Sequence, residues 1–101
     1  MLRIEEIVEV VPYSVTCKFN TGEVKKIVLN TYISAGNHLV DKIKLLNPDF
    51  FKEVQIGRFG ELFWNNAAFM QNEKDELIPC EFDLSPEFVY HNSTAVYKEW
   101  A

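Results

Sequence analysis

Residues 47–66, NPDFFKEVQIGRFGELFWNN, decide how this chain folds. Asn47, Pro48 and Asp49 spell a helix start, with Asn47 as the cap and Pro48 at the first helical position, where its missing N–H removes no bond. Val54, Gln55 and Ile56 turn strand-like soon afterwards, so this helix is expected to last about one turn. Gly57 and Gly60 frame a bend, Glu61, Leu62, Phe63 and Trp64 return as a second strand, and Asn65 with Asn66 is expected to end it. Phe50, Phe51, Val54, Ile56, Leu62, Phe63 and Trp64 are side chains a folding unit buries, and no cluster of His, Cys, Asp or Ser stands among them. The stretch specifies packing and carries no chemistry.

Working outward, Ile4, Ile7, Val8, Val10 and Val11 are β-branched residues interrupted by glutamates, which predicts an opening strand that stops at Pro12. Tyr13, Val15, Cys17 and Phe19 alternate with Ser14, Thr16 and Lys18, the period of a half-buried strand. Asn20, Thr21 and Gly22 supply turn chemistry before Val24 to Leu29 return, so residues 13–29 read as a hairpin. Past Asn30 the pattern changes. Leu39, Val40, Ile43 and Leu46 recur as one stripe of a helix, with Asn37 as its cap. Residues 71–79 are the most polar stretch and read as an exposed loop or a hairpin tip. Ser85, Pro86 and Glu87 repeat the capping logic, with Phe88 and Tyr90 following on a short helix.

The fold expected is a single small α+β domain over residues 1–91, a mostly antiparallel sheet built from hairpins with one or two short helices. Residues 92–101 form a C-terminal tail. The chain of 101 residues is 48 % hydrophobic and 25 % charged, enough for a core and for solubility. A net charge of -5 opposes non-specific binding to nucleic acid, which depends on Lys and Arg neutralising phosphates. Lys42, Lys44 and Lys52 are the densest cationic group, and Asp41, Asp49 and Glu53 dilute it. Glu5, Glu6 and Glu9 break any leader-like apolar core at the N-terminus, and no apolar run approaches the roughly 20 residues of a membrane span. Cys17 and Cys80 form no CxxC, Cys17 reads as a small buried thiol, and a reducing cytoplasm is the expected location.

Three signatures come in order: Phe19, Asn20, Thr21, Gly22, Glu23 and Val24 between two strands; then Asp49, Phe50 and Phe51 followed by Val54 and a Gly-containing turn to Phe63, Trp64 and Asn65; then Asp83, Leu84, Ser85, Pro86, Glu87, Phe88, Val89 and Tyr90. That succession resembles the small bacterial proteins of domain-of-unknown-function family 2442, over roughly residues 4–90. The resemblance implies a compact α+β fold with no established catalytic residues. Its context hints at regulation or a toxin and antitoxin type of pairing, although fold alone does not imply function. The chain departs from the family pattern after Trp64 and Asn65, with Asn66, Ala67 and Ala68 in place of an early Gly and an insertion over about residues 69–82.

His38 and His91 are the only histidines, and neither stands in a motif with a nucleophile or an orienting partner. Cys17, His38, Cys80 and His91 match no zinc spacing, so neither a metal nor a cofactor is expected. The serines lie in no nucleophile elbow, and the glycines have no phosphate-loop spacing. The expectation is a non-enzymatic binding or regulatory module whose partner is another protein, met through an open sheet edge or the tail. Tyr97 and Trp100 on the tail, and Arg58 with Phe59 on a turn tip, are the residue types that interfaces favour. The alternative is a small enzyme or ligand-binding protein using His38 or His91 with Glu81, Asp83 or Glu87. A nucleic-acid partner would need Lys25, Lys26, Lys42, Lys44 and Arg58 to converge. Open sheet edges also make a homodimer an expectation.

Overall fold

The structure, a computed structural model, describes residues 1–96. In chain order its elements are β1 (Ile4–Val11), β2 (Ser14–Phe19), β3 (Val24–Val28), α1 (Asn30–Ser34), α2 (Lys42–Leu45), α3 (Pro48–Phe51), β4 (Gln55–Ile56), β5 (Leu62–Gln71), β6 (Leu77–Leu84), α4 (Pro86–His91) and β7 (Thr94–Ala95). Every strand pair is antiparallel, in a four-stranded sheet of order β1-β2-β3-β7 and a three-stranded sheet of order β4-β5-β6. The chain is thus one α+β domain of hairpins, with four short helices among the described residues where one or two were expected. No helix among the described residues is long and apolar enough to cross a membrane.

Local chemistry explains the elements. Val15, Cys17 and Phe19 of β2 are fully buried, as their alternation predicts. Ser14 and Thr16 on the other face are buried as well, because β2 lies between β1 and β3. Burial pushes the Cys17 thiol up to about 12, so it stays a neutral packing group. Asn47 caps α3 by accepting from the amides of Asp49 and Phe50, and Ser85 caps α4 by accepting from the Phe88 amide at 3.1 Å.

Two expectations are corrected. The helix predicted from the Leu39 to Leu46 stripe is reduced to α2, and its cap is Asp41, whose carboxylate accepts from the Lys44 amide; Asn37 instead accepts from the Leu39 amide. The cause is competition from β5: Val40 forms a β-bridge with Ala68, and Asp41 donates to the Ala67 carbonyl. Backbone hydrogen bonds to the sheet outweigh a marginal helix. The second correction is that Asn65 and Asn66 do not end the strand. β5 passes through a bulge there, with Asn66 at φ 54°, and runs on to Gln71.

The core gathers around Trp64. Its indole is fully buried and its Nε1–H donates to the Phe51 carbonyl at 2.8 Å. Phe51 and Phe82 lie 5.4 and 5.8 Å from it, centroid to centroid, and Tyr13 meets Phe51 edge-on. The Tyr13 hydroxyl donates to the Leu46 carbonyl. Trp64→Ala should lower the unfolding free energy by about 3–5 kcal/mol in urea titrations, through the void and the orphaned carbonyl. Thiol labelling of the native protein should modify the half-buried Cys80 quickly and reach Cys17 only on unfolding.

Candidate functional site

Two features of the surface could bind something. The first is a groove of about 420 Å³ between Met1 and Leu2, the β4–β5 turn, and the β6–α4 junction. Phe59, Glu61, Asp83, Ser85, Pro86 and Glu87 line it with them. The turn is held from below: Gly60 sits at φ 77°, where a Cβ would come within 2.8 Å of the Arg3 Cα, and the Ile4 amide donates to the Gly60 carbonyl. Glu61 Oε1 accepts from the Phe59 amide at 2.9 Å, and the Arg3 guanidinium donates to the Arg58 carbonyl. Phe59 is 63 % exposed with the Arg58 guanidinium 5.5 Å from its ring.

The groove brings Asp83 and Glu87 together, and Glu61 with them, which sequence reasoning missed. Glu81, His38 and His91 are not among its lining residues. His38 lies between α1 and α2, and His91 ends α4 with its ring edge-on to Tyr90. Carboxylates and Ser85 thus share a wall without the imidazole that would make them an acid-base set, and Ser85 Oγ is already the α4 cap. Among the described residues no group of three or more His, Cys, Asp or Glu is placed to hold a metal ion.

The cations are dispersed and partly engaged. Lys25 and Lys26 are neighbours on β3 and so point to opposite faces. Lys25 Nζ donates to the Tyr90 carbonyl at 2.6 Å and lies 3.8 Å from the Tyr90 ring, while Lys44 Nζ donates to the Asn66 carbonyl. Tyr97 and Trp100 lie outside the described residues. The start of the tail forms β7 on β3, with the Val96 amide donating to the Val24 carbonyl.

The second feature is the outer half of the β5–β6 hairpin, which the sequence showed only as an insertion and a polar loop. Beyond the bulge, Ala68, Phe69, Met70 and Gln71 pair with Cys80, Pro79, Ile78 and Leu77, and residues 72–76 close the tip. Asn72 makes that tip rigid: its Oδ1 accepts from the amides of Lys74 and Glu76, and its own amide donates to the Glu76 carbonyl. On β6 the alternate residues Leu84, Phe82, Cys80 and Ile78 share one face. Leu84 is 9 % exposed and Ile78 42 %, with its cross-strand partner Met70 at 54 %, so a row that begins in the core emerges into solvent. Leu77 is exposed on the opposite face.

The outer edge of this arm is poorly suited to strand addition. The Phe69 amide donates to the Leu39 carbonyl, away from β6, so Phe69 and Pro79 form a pair without hydrogen bonds between them. Pro79 therefore turns its ring nitrogen outward and leaves the β6 edge without a donor at its middle. Contact with the arm falls to its apolar face.

One exposed network has a checkable titration. The Tyr90 hydroxyl donates to Glu23 Oε1 at 2.8 Å, and this bond first, then the Thr21 hydroxyl and the nearby Lys25 charge, hold the Glu23 carboxyl below the usual glutamate value. A lowered carboxylate stabilises the fold above its unfolded value and loses that contribution as pH falls through the lowered one. NMR titration should find Glu23 below ordinary glutamates, and Tyr90→Phe should move it back up.

No protein-family model, curated protein or solved structure matches this chain, so its function is read from this geometry.

Proposed function

We propose that this chain is a non-enzymatic binding or regulatory module that meets another protein through the apolar face of the β5–β6 arm. One observation carries the reading: the row of Leu84, Phe82, Cys80 and Ile78 is patterned as a core face, yet its outer end, Ile78 with Met70 beside it, is left in water. Isolated apolar residues on a surface need no explanation, whereas a contiguous row rimmed by charge is a mark of contact surfaces. Glu73, Lys74, Asp75 and Glu76 at the tip supply the rim. A lone two-stranded hairpin in water is marginal.

The resemblance to family 2442 fits a module that works as one half of a regulatory pair and adds no chemistry to it. The enzyme reading has less support, because the acidic groove gathers Asp83 and Glu87 without either histidine.

Affinity capture from the host, read by mass spectrometry, tests the proposal with the full chain, its Ile78→Glu variant and a version ending at His91. A specific partner kept by the full chain and lost with Ile78→Glu is expected. A partner kept by Ile78→Glu but lost on truncation would move the contact to the tail, and no specific partner for any version would overturn the module reading.

A further inference from the structure

We infer that the partner of the arm is a second copy of this chain, in a two-fold dimer whose arms pack face to face and antiparallel. The inference rests on the reading of the arm as a contact surface and names what covers it. Each arm extends about 10 Å beyond Ala68 and Cys80, three paired residues per strand at about 3.3 Å each. An antiparallel arrangement over this length lays Met70 and Ile78 of one copy on Met70 and Ile78 of the other. It also brings each tip to the base of the opposite arm.

What stands at that base is complementary to the tip. The tip carries Glu73, Asp75 and Glu76 against the single cation Lys74, an excess of negative charge. The base is flanked by α2, whose position is fixed by burial of Leu45 and by the bonds of residues 39–41 to β5. α2 turns Ile43 into solvent at 90 % exposure, with Lys42 preceding it and Lys44 following. The neighbouring Asp41 carboxylate is engaged in capping the Lys44 amide. Lys44 Nζ is bonded to the Asn66 carbonyl, so in the proposed dimer the acidic tip of one copy meets Ile43 and Lys42 of the other.

Self-complementarity is what selects a second copy. The acidic tip and the basic, apolar α2 lie at opposite ends of one arm, so a single two-fold axis satisfies both contacts at once, as an isologous interface requires. A chain with net charge -5 would otherwise repel its own copy, and the local pairing of opposite charges supplies the register. Pro79 excludes the simpler route of joining β6 edges, which leaves face packing at the sheet-to-sheet spacing of about 10 Å.

Sedimentation equilibrium of the full chain from micromolar to millimolar concentration tests the dimer. Wild type should associate, Ile78→Glu should remain monomeric, and Lys42→Glu or Glu73→Lys alone should weaken association about fivefold. The Lys42→Glu/Glu73→Lys double variant should recover it, because the reversed charges again face each other. Alkylation of Cys80, on the packed face, should slow as wild-type concentration rises, and circular dichroism of each variant confirms that it is folded. A wild type that stays monomeric at millimolar concentration overturns the dimer, as does a dimer that Ile78→Glu leaves intact or a double variant no tighter than the single ones. If the chain is monomeric yet loses a different captured protein on Ile78→Glu, the dimer fails and the module reading stands; if it is monomeric and no capture depends on Ile78, both fail.

Discussion

The hydrogen bond from the Trp64 indole to the Phe51 carbonyl is the constraint on which the rest of the molecule depends. A buried indole brings its N–H with it, and leaving that donor unpaired costs about 1–3 kcal/mol. Phe51 is the last residue of α3, and the carbonyls that end a helix have no partner within it. One bond therefore satisfies a strand side chain and a helix terminus together, fixing the helical layer on the three-stranded sheet. The contact continues through the edge-on packing of Tyr13 on Phe51 to the four-stranded sheet, so the cap that Asn47 provides for α3 positions both halves of the core.

The two sheets manage their outer edges differently. β1 carries Glu5, Glu6 and Glu9 and two register shifts, both of which discourage a further strand. β6 has Pro79 at its middle. The arm remains exposed on its face at Met70 and Ile78, where the periodicity of a core strand continues. Edges closed and one face open is the pattern of a surface that excludes promiscuous strand pairing while keeping an apolar contact available.

Much of this was legible in residues. The hairpin over 13–29, the caps at Asn47 and Ser85 and the burial of Trp64 follow from local chemistry, because turn residues, prolines and alternation act within a few positions. The elements missed were set by distant partners. α1 has a single buried residue, Ile33, and no side-chain cap, so nothing in its sequence announces a helix. The Leu39 to Leu46 stripe read as a longer helix because its competitor, the β5 backbone, lies almost 30 residues away in sequence. Asn65 and Asn66 carry turn chemistry and use it for a bulge. The arm was legible only as polarity at its tip, since Met70 and Ile78 face each other across a turn that the composition of residues 71–79 conceals. Of the groove, Asp83 and Glu87 were singled out together as candidate carboxylates and Phe59 apart from them as a contact residue, and their meeting depends on the β4–β5 turn lying against the N-terminal residues.

The sheet connectivity has a kinetic consequence. β1 with β2, β2 with β3, β4 with β5 and β5 with β6 join strands that follow one another along the chain, and β3 with β7 is the pairing that spans the greatest sequence distance. Local hairpins close with little loss of chain entropy, so such a topology folds fast for an all-antiparallel arrangement. Among the described residues β7 adds a two-pair ladder, Lys25 with Ala95 and Lys26 with Thr94, extended by the Val96 amide on the Val24 carbonyl, and so short a ladder is expected to form after the long closure and to open early when the native state fluctuates. The C-terminal strand thus behaves as a latch on a framework already assembled, and its opening leaves the nucleus around Trp64 intact.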